Sequence, residues 1–426
     1  MSIAIACVQD ACMRGVMDGS MHGRVGEYFG RIGEHLPEVG QRKSFATYAF
    51  GILGDGDRKS VEPMAARASA EPVAAGRAHD RLLHFIRESP WDNRRVRREA
   101  AKYAIEALSE REPVGTWIVD DTGFLKQGRE SPGVHRQYTG SAGKIANCQV
   151  GVSLTVATRT AQVPIDFELY LPQVWIDDSK RRKRARIPET IGFKTKIELA
   201  LDMITRAVED KVPGDTVLAD SAYGRSSVFR DTVRVFGLDY AVAVDAATRV
   251  WVLDSIGRRR GDAIAVADLG TQLGVGAFRR LTWRQGTNDG TGGAGRKLTS
   301  RFLFRRVKPA HEDGSEPAQR EPLWLVTEWP PNEPKPTKFF FTTLPRRLSK
   351  KKIVRTIKER WRTERAYQEL KGELGLDHFE GRSFTGWHHH VSVVLCCYAF
   401  VVAERVRAFP PSQGRFRRAE AVARAA

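Results

Sequence analysis

The sequence predicts an α/β protein in which a small all-α N-terminal domain precedes a mixed-sheet core, and a β-rich insertion interrupts that core. Three observations predict this. Residues 1 to about 110 carry only helical periodicity, residues 113–245 alternate strand and helix patterns, and residues 246–345 hold strand patterns separated by loops rich in Gly, Asp and Pro. At 426 residues with 41% hydrophobic side chains, the chain is long enough to bury two or three cores.

In the N-terminal domain (1–112) the helical runs are Val25–Leu36, Lys43–Leu53, Val61–Ala68, Arg77–Glu88 and Asn93–Leu108, joined by turns that contain Gly and Pro. Ser60–Arg67 and Ala78–Phe85 have the spacing of a helix-turn-helix pair. From Gly115 the pattern changes. Thr116–Val119 runs into Asp120-Asp121-Thr122-Gly123, and Ala146–Thr158 and Val163–Leu171 follow as strands of an antiparallel meander. A helix over Lys196–Glu209, a strand over Asp215–Ala219, a helix over Val228–Phe236 and a strand over Tyr240–Val244 complete the first part of the core, residues 113–245. The order β-β-β-α-β-α-β is that of a ribonuclease H-like core with helices on its faces.

In the insertion (246–345) the strand patterns are Arg249–Leu253, Ala277–Arg284, Leu298–Val307, Leu323–Glu328 and Lys338–Thr343, with Thr287–Gly295 and Pro309–Pro322 as loops. The second part of the core (346–408) holds a helix over Glu359–Lys371, a loop over Gly375–Arg382 and an apolar helix over Trp387–Arg407. Residues 409–426 read as a basic, flexible tail.

Charge narrows the partner. Lys and Arg exceed Asp and Glu by 69 − 51 = 18, and they cluster in Lys180–Arg186, Arg258–Arg260, Arg346–Lys352 and Arg415–Arg418. An excess concentrated in runs suits a polyanion, because neutralising phosphates releases counterions. Nucleic acid is therefore the expected partner. The five cysteines (Cys7, Cys12, Cys148, Cys396, Cys397) form no CxxC pair and no zinc spacing, which fits a reducing cytoplasm. The longest apolar run, Val391–Ala403, is too short to span a bilayer and reads as a buried core helix, so no membrane partner is expected.

Two aspartates end apolar strands, Asp120 after TWIV and Asp220 after TVLA, at the sheet edge where open α/β folds bind ligands. A third carboxylate, Glu364, lies on the helix after the insertion. Three carboxylates from separate elements are the hard-oxygen donor set for two Mg²⁺ ions, with Mn²⁺ an alternative. Such a metal pair would activate water or a 3′-hydroxyl and stabilise the leaving oxygen. Asp120 and Asp121 alternate along the extended chain, so only one faces the metals; Asp120 is the choice, and Asp121 is assigned to the backbone of a Thr122-Gly123 turn. On the Glu359–Lys371 helix, Arg360, Glu364, Tyr367 and Lys371 are spaced to share a face, and Glu359 and Glu369 lie off it. Their replacement is therefore expected to cost less than that of Glu364. Lys126, Arg136 and Lys144 are candidate phosphate contacts. Tyr138, Tyr223 and Tyr367 could be core or DNA-facing. His388–His390 open an apolar helix without a Cys or carboxylate partner at zinc spacing, and read as capping or surface residues.

From Trp117 to Arg407 the chain resembles DDE-class transposases of bacterial insertion sequences. The resemblance rests on IVDDTGFLKQG (118–128), GVHRQYTGSAGKIANCQVGVSL (133–154), LYLPQVW (169–175), TVLADSAYG (216–224) and RWRTERAYQELKGELGLDHFEGRSFTGWHHH (360–390). It implies that Asp120, Asp220 and Glu364 are the catalytic, metal-binding triad. Arg360 and Lys371 then take the signature's basic positions beside DNA, while the signature's Tyr position is Ile357 here. Hairpin-forming relatives stack an insertion-domain aromatic on a flipped base, and Trp324 is the matching candidate. The implied function is Mg²⁺-dependent cleavage and strand transfer at terminal inverted repeats of double-stranded DNA, by a homodimer acting on DNA in the bacterial cytoplasm and nucleoid. Two other readings are a transposase-derived protein that only binds DNA, and a ribonuclease H-like nuclease without strand transfer.

Overall fold

The computed structural model describes residues 19–68, 72–285, 297–310 and 321–408. Cys7, Cys12, the basic run Arg415–Arg418, the tail 409–426 and most of the two insertion loops lie outside the described residues.

Among the described residues five helices come first: α1 (Gly19–Gly33), α2 (Val39–Leu53), α3 (Val61–Ala68), α4 (Pro72–Arg87) and α5 (Asn93–Ser109). Asp92 caps α5 by accepting from the N–H groups of Arg94 and Arg95. Strands β1 (Thr116–Leu125), β2 (His135–Thr139), β3 (Lys144–Ala157) and β4 (Gln162–Tyr170) follow, then short helices α6 (Gln173–Asp177) and α7 (Ser179–Arg184). The chain continues through α8 (Lys196–Glu209), β5 (Thr216–Ala219), α9 (Ser221–Gly224), α10 (Ser227–Val235) and β6 (Asp239–Val244). Thr195 and Glu198 close α8 with a reciprocal capping box. The β-rich stretch holds β7 (Arg249–Leu253), β8 (Arg259–Ala265), α11 (Val266–Gln272), β9 (Arg279–Gln285), β10 (Lys297–Pro309), β11 (Leu323–Trp329) and β12 (Lys338–Thr342). Last come α12 (Lys350–Ile357), a 3₁₀ turn (Lys358–Arg360), α13 (Trp361–Gly372) and α14 (Phe384–Ala408).

The chain divides into two compact units, one of Met1–Gly115, Asp121–Lys194 and Thr363–Ala426, the other of Thr116–Asp120 and Thr195–Arg362. The first unit is built around α14. Every residue from Gly386 to Glu404 is buried, most of them apolar, and a helix of that kind is stable only when surrounded; α5, α2, α4 and β4 pack against it. Each fully buried Val, Leu or Phe there contributes about 1.5–3 kcal/mol. Polar links fix the register of this packing: the Tyr28 hydroxyl donates to the Cys396 carbonyl at 2.8 Å, and the buried Arg97 guanidinium meets Asp166 at 3.1 Å and Glu168 at 3.2 Å. In the same unit β3 pairs antiparallel with β2 (Thr139↔Lys144 to His135↔Cys148) and with β4 (Val150↔Tyr170 to Ala157↔Gln162).

In the second unit the start of β1, β5 and β6 run parallel, and β12, β11, β10, β7 and β8 extend the sheet antiparallel in that order, with β9 also on β10. The sheet is thus mixed, with helices α8 and α10 from the βαβ segment, as an α/β chain requires.

Four expectations need correction. The strand that carries Asp120 does not turn at Thr122-Gly123; it stays extended to Leu125, because Gly123 has no side chain and lets the Thr139 hydroxyl approach to where a Cβ would lie 1.9 Å away. Asp121 therefore caps no turn. The helix predicted over Glu359–Lys371 is broken into a 3₁₀ turn and α13, so Arg360 precedes the helix rather than riding on it. His388–His390 are core residues: His389 stacks on Trp91 at 3.9 Å, and His390 is bonded to the Tyr48 hydroxyl and the Gly375 carbonyl. Glu369 is the fourth, and its environment belongs with α13 below.

Candidate functional site

Asp120 and Asp220 belong to the same unit, and their positions follow from strand register. Thr116 pairs with Thr216, Trp117 with Val217 and Ile118 with Leu218. Two residues beyond the last of these pairs, Asp120 lies midway along β1, which continues to Leu125 instead of ending at the aspartate as the sequence predicted, and Asp220 directly follows β5 at its carboxyl end. The strands are locked below by the Trp117 indole, which donates to the Pro213 carbonyl at 2.8 Å. Above, Asp220 ends β5 and caps α9, its Oδ1 accepting from the Ala222 N–H at 2.9 Å. The turn that follows depends on Gly224, where a Cβ would lie 1.9 Å from the Ala243 carbonyl oxygen. Asp120 is buried, and the Arg360 guanidinium donates to its Oδ2 at 2.7 Å. A carboxylate buried this deeply is costly without a cation beside it.

Glu364 belongs to the other unit, in the first turn of α13, and it is exposed. The helix is held by three sets of contacts within its unit. Thr363 and Tyr367 bond the β3 hydroxyls of Thr155 at 2.9 Å and Ser153 at 2.6 Å. Lys371 donates to Thr122 Oγ1 at 2.9 Å, the Gly123 carbonyl at 2.7 Å and Ser141 Oγ at 3.3 Å, which matches the three donors of an ammonium. Burial also lowers the Lys371 pKa. Glu369 is buried and accepts from the Tyr398 hydroxyl at 2.9 Å, Arg405 at 3.1 Å and Arg365 at 3.0 Å. It is therefore a structural anchor, so for folding stability its replacement costs more than that of the exposed Glu364, against the expectation that it would cost less. Tyr367 resolves to the core.

The remaining candidates divide by exposure. Arg136 and Lys144 are exposed on the β2–β3 hairpin, whereas Lys126 is half-buried, donates to the Phe379 carbonyl at 2.6 Å and has its pKa lowered by desolvation. Trp324 is half-buried on β11, edge-on to Phe304 at 6.2 Å and with the Arg306 guanidinium 5.2 Å from its ring centroid. Sequence reasoning missed Thr122, Ser141 and Ser153, which position α13; no spacing signal marks a hydroxyl whose partner is more than 200 residues away.

Carboxylate oxygens of Asp120 and Asp220 are hard donors of the kind that Mg²⁺ and Mn²⁺ take. Among the described residues no group of three or more His, Cys, Asp or Glu side chains is gathered to hold a metal ion, and Arg360 supplies the positive charge beside Asp120. Among the described residues no helix is long and apolar enough to cross a membrane.

Comparison with known families gives two matches. Residues 32–290 match the model of the DDE superfamily endonucleases, and residues 192–400 match the transposase DDE domain. The chain is also 31% identical over 173 residues to a probable transposase for insertion sequence element IS701 from Microchaete diplosiphon. That similarity spans 40% of this chain and 42% of the relative.

Proposed function

The chain belongs to the DDE superfamily endonucleases, and from that premise we propose that it is an insertion-sequence transposase that cuts DNA at terminal inverted repeats and joins the freed end to a target. The observation that carries the reading is the parallel pairing of β1 with β5, with Asp120 and Asp220 each two residues beyond the pair Ile118↔Leu218. With Glu364 as the third carboxylate, these residues would hold divalent ions, Mg²⁺ first. Such ions supply Lewis-acid stabilisation of phosphoryl oxygens and a stronger nucleophile at neutral pH. What the chain itself provides is rigidity: the Trp117 bond anchors the strand that carries Asp120, and the cap holds Asp220 at the start of α9, and well-held ligands cost little reorganisation. The strand order of the second unit, parallel in its βαβ part and then extended by β7–β12, supports a ribonuclease H-like core with a β-rich insertion.

DNA as partner is supported by charge placement. Lys350, Lys351 and Lys352 fill the first turn of α12, where cations oppose the helix dipole, an arrangement that an anionic partner would relieve. The helical segment 1–112 is proposed to bind the repeats, with a homodimer handling two ends. Replacing Asp120 or Asp220 by Ala is expected to reduce Mg²⁺-dependent cleavage of repeat-bearing DNA to background while repeat binding persists; cleavage by Asp220→Ala would refute the assignment. A second reading, binding without cleavage, is favoured by the Arg360–Asp120 ion pair. Its mark would be repeat binding with no nicking by the unmodified chain at any Mg²⁺ concentration.

A further inference from the structure

The β-rich stretch of the second unit holds a cavity of about 290 Å³ lined by Arg280, Thr299, Arg301, Trp329 and Asn332, among others. Three of these residues form one row across three strands. Arg301 on β10 stands directly opposite Arg280 on β9 and directly opposite Trp329 on β11, so the three side chains project from the same face of the sheet. Like charges directly opposite one another on an antiparallel pair are destabilising. Both guanidinium groups are exposed, and among the described residues neither is paired with a carboxylate. The wall beside them is rigid: the Trp329 indole donates to the Glu333 carbonyl at 2.8 Å and packs edge-on against Phe278 at 5.3 Å.

We infer that this arginine pair is an anion site that takes a phosphate group, the internal phosphodiester of a DNA strand. Two guanidinium forks on one side of a cavity match the oxygens of a single phosphate, and an anion between them converts the cross-strand repulsion into attraction. Thr299 and Asn332 add short polar side chains at the same cavity. Asp120 and Asp220 lie on other strands of the sheet, so the site is separate from the carboxylates. The inference rests on the reading of DNA as partner.

The test uses the full chain, a fluorescent duplex bearing an inverted repeat but no terminal phosphates, and, separately, inorganic phosphate. Replacing both Arg280 and Arg301 by Ala is expected to make the slope of log K against log salt shallower by about 1.8, the share of two phosphate contacts. Arg280→Glu, which sets a carboxylate opposite Arg301, is expected to raise the melting temperature of the free protein while weakening duplex binding. Inorganic phosphate should raise the melting temperature of the unmodified protein and not of Arg280→Glu. Duplex binding with an unchanged salt slope in the double variant would overturn the inference, and stabilisation by phosphate alone would transfer the site to free phosphate compounds. Failure of the unmodified chain to bind duplex would also overturn it, whereas the carboxylate assignment is judged independently by nicking with and without Asp220.

Discussion

At the scale of single residues, carboxylates on one short helix meet opposite fates. Glu364 is exposed, and Glu364→Ala is expected to change folding stability by less than about 0.5 kcal/mol while removing cleavage. Glu369 is buried among Tyr398, Arg405 and Arg365, so Glu369→Ala is expected to cost about 3–5 kcal/mol in urea unfolding, because it leaves partners without an acceptor. The buried histidines set a pH dependence. Burial pushes His389 and His390 down to about 4 from the ordinary 6.5. The folded state then binds fewer protons than the unfolded one, so the stabilisation is complete above about pH 6.5 and is lost as pH falls toward 4, at roughly 3 kcal/mol per histidine. Glu168 adds to the loss at lower pH. Burial pushes its carboxyl up, but His388 and the guanidinium groups of Arg97 and Arg94 outweigh that and hold it well below the usual range. Denaturation midpoints measured from pH 8 to pH 4 should fall most steeply below 6.5; a flat profile would contradict the buried, neutral state of these rings.

At the scale of elements, the contacts of β1 and α13 explain why each sits where it does. The Asp-bearing strand continues through Gly123 because the next strand's Thr139 needs that space, and the β5–α9 turn depends on Gly224 in the same way. Gly224→Ala is expected to destabilise by about 1–3 kcal/mol, read as a lowered unfolding midpoint, since the added methyl meets backbone rather than a yielding side chain. Helix α12 makes the opposite compromise. Changing Lys350, Lys351 and Lys352 to Gln is expected to stabilise the free protein by roughly 1 kcal/mol by removing cations from the positive end of the dipole. The same change should weaken DNA binding in a filter or anisotropy assay. Stability rising with no loss of binding would remove this turn from the DNA surface.

At the scale of the whole molecule, an excess of 18 positive charges governs long-range attraction more than it governs the fold. Were 6–10 phosphates contacted, affinity for DNA would fall about 10³-fold or more between 50 and 200 mM salt, and a weak salt dependence would rule out so extended an interface. Much of the basic inventory is nevertheless engaged locally. Arg181 lies over Trp175 at 3.6 Å and Arg182 bonds the carbonyls of Pro188 and Ile191, so the run Lys180–Arg186 forms α7 and its supports as well as surface charge.

The sequence by itself determined the helices of residues 19–109, a strand through Asp120, a strand that runs up to Asp220, and the alternation that sets these two strands in one sheet. Those features are written in local periodicity and in the residues that cap or break it, such as Asp92 and Thr195. The tertiary structure alone decided which charged groups are engaged within the fold. Arg360 reaches Asp120 across 240 positions, and Lys371 reaches Thr122 across 249. Glu369 reads in sequence as one more charge on a polar helix, until α14 surrounds it. A periodic pattern reports which face of an element is buried. It carries no information about which distant side chain completes a buried charge, and that pairing is fixed only when burial makes an unpartnered charge too costly to keep.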